Sequence, residues 1–157
     1  MPVRRVRIDE AVWDRANRPR RDDWRVAIAD LVDDECLGAE DDDLLHVGLT
    51  DDDFVLATFD SEGAPLAVLE VDREALRPHV EEYLAIIRRL EHGAHHASQM
   101  HALDMAKKVV HDSAAKALAR ALPGFGRDLE SYRRLFSLLL ALAVDVTSLP
   151  AARAHRH

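Results

Sequence analysis

One predicted helix carries two histidines, two aspartates and two lysines within the sequence SQMHALDMAKKVVHD, which begins at Ser98. A helical residue advances by roughly 100°, so four of these side chains fall within an arc of about 80°. This polar stripe consists of His101, Asp104, Lys108 and His111, and Lys107 lies beside it. The opposite side is an apolar band of Leu103, Ala106, Val110, Ala114 and Ala117. The helix is therefore predicted to be amphipathic, with the stripe facing away from the core.

The polar stripe supports two interpretations. In the catalytic one, His101 or His111 acts as a general acid or base, Asp104 orients it, and the lysines hold an anionic substrate. In the structural one, Asp104 and Lys108 form an ordinary i,i+4 ion pair and the histidines are solvated. Polar stripes on amphipathic helices are normally their solvated face, so the second interpretation is favoured.

Two arginines, Arg133 and Arg134, lie near the start of the next predicted helix, after the loop sequence PGFGR. A short loop makes the two helices antiparallel neighbours. Since His111 lies near the middle of its helix, it meets the arginines only if the helix curves or the loop folds back. The candidate catalytic residues are therefore His101, Asp104 and His111. The candidate anion-binding residues are Lys107, Lys108, Arg133 and Arg134.

A metal site is the alternative for the histidines that precede the polar stripe. Glu91 with His95, and His92 with His96, are i,i+4 pairs that could each face one metal ion. However, Gly93 is expected to interrupt that helix, and the order EHGAH matches neither common zinc pattern. A polar loop between helices is thus the favoured interpretation, and no metal or cofactor is predicted.

Length and composition indicate one domain that needs neither a disulfide nor a metal ion to fold. The chain has 157 residues, so residues 1–150 are predicted to form a single domain, and the tail 151–157, AARAHRH, is predicted to be disordered. Cys36 is the only cysteine, which fits a reducing cytoplasm. The longest apolar run, Leu138 to Val144, falls short of the roughly 18 to 20 residues of a membrane span. A cytoplasmic location without membrane contact is the expectation.

Charge argues against general nucleic-acid binding, because the formal net charge is −8 and phosphate neutralisation needs cations. The distribution is uneven, however. Arginines are concentrated in residues 1–25: Arg4, Arg5, Arg7, Arg15, Arg18, Arg20, Arg21 and Arg25. This basic patch could bind an acidic partner or a phosphate, although interspersed acidic residues make a solvated charged face the simpler interpretation.

The first half of the chain predicts a small sheet. Residues 3–8 alternate as an edge strand with charged faces, and a helix is expected from Trp24 to Leu37, capped by Asp22 or Asp23. Three short strands follow, separated by turn-forming residues, which is typical of an antiparallel meander. These strands are predicted at Leu44 to Leu49, Phe54 to Phe59 and Leu66 to Val71.

The second half predicts three helices. The last is expected to begin at a cap provided by Asp128 and to end near Ser148. From Leu135 to Val146 it is apolar on nearly every side, which indicates burial between other elements or an intersubunit surface. A homodimer through this helix is therefore one expectation for the partner.

Three blocks of sequence lie on separate predicted helices. The first block contains Arg25, Val26, Ala27, Ile28, Asp30 and Leu31. The second contains Ser98, Gln99, Ala102, Asp104, Met105, the basic pair at 107 and 108, and His111. The third contains Arg133, Arg134, Leu135 and Phe136. Together the blocks resemble a bacterial family catalogued as uncharacterised protein family 0262. The resemblance brings no activity, substrate or cofactor with it.

We expect an α+β fold, with an antiparallel sheet of three to four strands covered by about four helices. The expected function is a non-catalytic cytoplasmic protein that binds a partner protein or a small anionic ligand. The alternative is a hydrolase or transferase that acts on an anionic substrate through the histidine, aspartate and lysine cluster. An active site requires those groups to converge on one point, whereas a binding surface does not.

Overall fold

The computed structural model describes residues 3–33, 37–93 and 96–149, and within them the chain forms four strands and five helices. The strands are β1 (Arg5–Ile8), β2 (Leu44–Leu49), β3 (Asp53–Phe59) and β4 (Pro65–Asp72). The helices are α1 (Glu10–Arg15), α2 (Arg18–Asp33), α3 (Arg73–His92), α4 (Ala97–Ala121) and α5 (Leu129–Ala143). Cys36, His95 and the tail 151–157 lie outside the described residues. The predicted α+β class, with its helical second half, is confirmed.

The sheet has the order β1-β2-β3-β4, and the three strands predicted as a meander pair antiparallel. Their connections close as predicted: Thr50 and Asp53 bond across the first turn, and Asp60 accepts from two later backbone amides in the second. β1 differs from the expected antiparallel pattern, because it runs parallel to β2. Two helices separate these strands and carry the chain back to the starting end of the sheet, as a parallel pair requires.

α2 begins six residues before the predicted start, at Arg18 rather than Trp24. Asn17 supplies the cap, since its side-chain oxygen accepts a hydrogen bond from the Arg20 amide at 3.0 Å. Pro19 fits the first turn, where its missing N–H costs nothing. The prediction that Asp22 or Asp23 caps this helix is therefore wrong.

α5 is the central helix of the molecule. Its residues from Leu138 to Leu142 are at most 3% exposed, and it packs against α2 and α4. On the α2 side, the indole nitrogen of Trp24 donates to the Ala141 carbonyl at 2.9 Å. Burial within one chain thus accounts for the apolar composition between Leu135 and Val146. Across the described ranges, no helix is long and apolar enough to cross a membrane.

Candidate functional site

The polar stripe of α4 is divided by the fold. His101, Asp104 and Lys108 are exposed, whereas Lys107 is buried and His111 is partly buried. The buried positions of this helix recur at helical spacing: Leu103, Lys107, Val110, Ala114, Ala115 and Leu118. The core-facing side is therefore rotated from the predicted apolar band towards Lys107 and His111. The seven candidate residues do not share one cleft, because three of them face solvent on one side of α4.

Lys107 occupies a core position, with 2% of the residue exposed. Burial lowers the pKa of its ammonium group from 10.5 to about 8, against the opposing charges of Asp104 and Glu91. Lys107 is consequently still mainly protonated at neutral pH. A charged amine at this position disfavours a second positive charge nearby, so a neighbouring basic group is less readily protonated.

His111 sits between three helices. Its ring centroid lies 5.8 Å from that of Tyr83 on α3 and 5.5 Å from that of Phe136 on α5. Its Nε2 atom lies 3.0 Å from the Ser137 hydroxyl, which also donates to the Arg133 carbonyl at 3.2 Å. With the hydroxyl hydrogen directed at that carbonyl, the ring N–H donates to the Ser137 oxygen. The histidine therefore ties α4 to α5 inside an aromatic cluster.

The environment of His111 keeps its imidazole neutral. Burial, followed by the positive charge of Arg133, lowers the pKa of His111 from 6.5 to about 4, and Lys107 acts in the same direction. The carboxylates of Glu130 and Asp112 act against this shift but do not cancel it. A neutral imidazole with such a low pKa is a weak general base, and at neutral pH it is not in the imidazolium form that acts as a general acid.

The arginine pair at the start of α5 is engaged within the fold. Arg133 Nε lies 2.8 Å from an Asp112 oxygen, and its Nη1 lies 3.1 Å from a Glu130 oxygen. The Nε–H is not aligned with its neighbour, so the first contact is an ion pair rather than a hydrogen bond. Arg134 donates to the Asp30 carbonyl at 2.7 Å and to Glu130 at 3.4 Å. The two arginines thus connect α5 to α4 and α2.

The histidines near the start of α4 show no metal geometry in the described part of the chain, where no group of three or more possible ligands could hold an ion. His92 and His96 are both exposed. The predicted pairing of Glu91 with His95 falls outside the described residues. Gly93 ends α3 as the sequence predicted, and the Gln99 side chain caps α4 by accepting a hydrogen bond from the His96 amide at 3.1 Å.

A groove of about 930 Å³ lies between β1, α1 and α2. Its apolar lining consists of Val6, Ile8, Trp13, Ile28, Ala29, Val32 and Leu44. Its charged lining consists of Arg4, Arg5, Arg7, Arg25, Glu10 and Asp33. Sequence reasoning identified the basic patch but not the groove. The sequence did carry a signal for the groove. Positions 25, 28, 29 and 32 of α2 lie next to the buried face, and three of the four are apolar.

Trp13 forms the aromatic wall of this groove. The guanidinium groups of Arg25 and Arg21 stack over its indole ring, at 5.0 and 5.4 Å from the centroid. Arg21 also donates to the Trp13 carbonyl at 2.9 Å. These contacts fix α1 against α2 and hold positive charge beside an apolar surface.

Comparison with known proteins identifies one family over residues 2–145, described as Uncharacterised protein family (UPF0262). A UPF0262 protein of Methylobacterium radiotolerans is 30% identical over 149 residues, covering 88% of this chain and 90% of that protein. A second, of Bradyrhizobium diazoefficiens, is 28% identical over 145 residues, with 87% and 88% covered. A third, of Paracoccus denitrificans, is 26% identical over 155 residues, with 88% and 93% covered. No solved structure matches.

Proposed function

This chain belongs to the uncharacterised protein family UPF0262, as its three sequence blocks indicated, and we propose that it is a non-catalytic binding protein whose site is the groove between β1 and α2. The single observation that carries the proposal is the lining of that groove. It combines a continuous apolar surface with four arginines and only two carboxylates, in a chain whose formal net charge is −8. An apolar concave surface with a few charged groups is the usual form of a binding site.

The arginines of the groove differ in whether an ion pair within the chain already compensates their charge. Arg5 binds Asp43 at 2.8 Å, and Arg25 binds Asp22 at 2.6 Å. Arg7 is exposed, and its side chain makes no ion pair or hydrogen bond with other described residues. Its free positive charge favours an acidic partner or a small anion, which is consistent with the basic patch in the sequence.

The competing function is a hydrolase or transferase that uses the polar stripe. The Ser137–His111 contact of 3.0 Å is the observation that favours it. Against it, the proton affinity of His111 is low, and His101 and Asp104 face solvent on the exposed side of α4. A binding surface does not require these groups to converge on one point, so the binding function is preferred to the catalytic one.

A cytoplasmic location belongs to this proposal, supported by a single cysteine among 157 residues. A homodimer also stays a proposal. Since α5 is buried inside the chain, the interface of such a homodimer has to be sought on another surface.

The test is an NMR titration of the ¹⁵N-labelled full chain with inorganic phosphate and with an acidic apolar peptide. We expect shifts at Val6, Arg7 and Ile28, with little change around His111. Val32→Asp, which puts a carboxylate into the groove, should remove the response. Val26→Asp is the matched control, because Val26 is exposed on the same helix outside the groove. Shifts that centre on α4, or that persist in Val32→Asp, would contradict the proposal.

A further inference from the structure

β1 is an edge strand with an open side. Among the described strands it pairs with β2 alone, in the register Arg5 with Leu44 through Ile8 with Val47. The Arg5 amide donates to the carbonyl of Asp43, the residue just before β2, at 3.0 Å, and the Asp9 amide donates to the Val47 carbonyl of β2 at 2.8 Å. Because backbone groups alternate along a strand, the N–H and C=O groups of Val6 and Ile8 point away from β2.

The open backbone groups adjoin the groove. Val6 and Ile8 both line it, and neither has a hydrogen-bond partner on that side among the residues that the structure describes. Across the groove stand Ile28, Ala29 and Val32 of α2. The groove thus offers two donors and two acceptors along one wall and an apolar helix surface along the other. This is the arrangement that an added β-strand requires.

We propose that the groove binds an extended segment of a partner protein, which pairs with β1 as a fifth strand of the sheet. This inference rests on the proposed binding function of the groove. The backbone of the segment bonds to Val6 and Ile8. A small anion such as phosphate cannot make these contacts, because it has neither an extended backbone nor N–H donors.

The two faces of β1 determine which side chains such a segment carries. Val6 and Ile8 lie on the core side of the sheet, next to Ile28, whereas Arg5 and Arg7 lie on the other side. Side chains of an added strand alternate between the same two sides. Those on the core side meet an apolar surface, and those on the other side meet arginines. The predicted segment therefore alternates apolar residues with carboxylates over about four to six positions.

Charged residues on an edge strand also prevent unwanted pairing between copies. The arginines of β1 act in this way towards a second copy of β1, because two rows of like charge repel. The same residues attract an acidic strand. The charge therefore selects among partners rather than closing the edge to all of them.

The test uses the full chain and a blocked hexapeptide of alternating glutamate and valine. At saturating peptide, we expect the hydrogen exchange of the Val6 and Ile8 amides to slow about tenfold or more, since both become bonded. The peptide with lysine in place of glutamate should give no protection. Shifts of groove residues without protection of these two amides, or equal protection by the lysine peptide, would overturn the strand-addition proposal.

Two variants at one position separate backbone pairing from packing. Val6→Pro removes an N–H that faces away from β2, so the sheet retains its own bonds, as prolines at sheet edges allow. We expect it to fold and to lose at least tenfold in affinity for the glutamate peptide. Val6→Ala loses more of the side chain but retains the N–H, and should bind within about threefold of wild type. Equal losses in the two variants would overturn the proposal.

The outcomes also distinguish this inference from the function on which it rests. Binding of phosphate in the groove, without protection of Val6 and Ile8 by the peptide, leaves the binding function standing and refutes strand addition. If neither probe perturbs the groove, both the binding function and the strand addition are refuted.

Discussion

Replacement of His111 by phenylalanine is predicted to weaken the acid sensitivity of the fold. In the folded chain the pKa of His111 is about 4, against 6.5 for a free side chain. The unfolded chain therefore binds a proton below pH 6.5 that the folded chain accepts only near pH 4. Protonation favours the unfolded state in this window, so the free energy of unfolding decreases as the pH falls from 6.5 towards 4.

The size of the effect follows from the shift. Each pKa unit corresponds to about 1.4 kcal/mol, so His111 accounts for a loss on the order of 3 kcal/mol between neutral pH and pH 4. His111→Phe removes this term. The ring should fit between Tyr83 and Phe136, and the Ser137 hydroxyl retains the Arg133 carbonyl as its acceptor. At neutral pH we therefore expect a change of less than about 1 kcal/mol.

The assay is urea unfolding of wild type and His111→Phe at several pH values between about 7 and about 4. Carboxylates contribute to the acid loss in both proteins, so the informative quantity is the difference between the two curves. We expect the curves to separate by on the order of 3 kcal/mol as the pH falls. His101→Gln, on the exposed face of the same helix, is the control and should run parallel to wild type. Parallel curves for His111→Phe would refute the reasoning.

Three further predictions concern the packing around the core. Lys107 has a folded-state pKa of about 8, below its unfolded value of 10.5, so the free energy of unfolding of wild type should rise between these pH values. Lys107→Met should abolish that rise and stabilise the chain near neutral pH by about 1–3 kcal/mol, as measured by urea unfolding. Gly126→Ala would place a Cβ atom 2.8 Å from the Tyr132 ring, so we expect a loss of about 1–3 kcal/mol and a lower Tm by calorimetry. Trp24→Phe removes the indole donor to the Ala141 carbonyl, and should cost on the order of 1–2 kcal/mol with unchanged far-UV circular dichroism.

The sheet was the most predictable part of the fold. The predicted strand Leu44 to Leu49 has the observed bounds, because alternating burial and turn-forming residues act locally. The parallel pairing of β1 could not be predicted from residues 3–8, since it depends on the two helices that return the chain to β2. α1 was missed for a related reason: with six residues, it shows too little helical periodicity to be recognised.

The candidate site was predicted less well, and one residue shows why. A charged residue is normally assigned to the solvated face of a helix, yet Lys107 shares the buried face of α4 with Leu103 and Val110. The core-facing side is rotated towards Lys107 and His111, which turns these two side chains inwards and leaves His101 and Asp104 outside. Helix patterns specify which residues share a face, but the neighbouring helices decide which face is covered.

The position of α5 in the chain has a consequence for biosynthesis. The helix that fills the centre of the molecule is translated after α2, α4 and the whole sheet. While residues 129–143 are still inside the ribosome, the apolar faces that later surround them lack the helix against which they pack. The nascent chain therefore emerges with its hydrophobic surfaces exposed, and chaperones that recognise such surfaces have access to it until α5 is released.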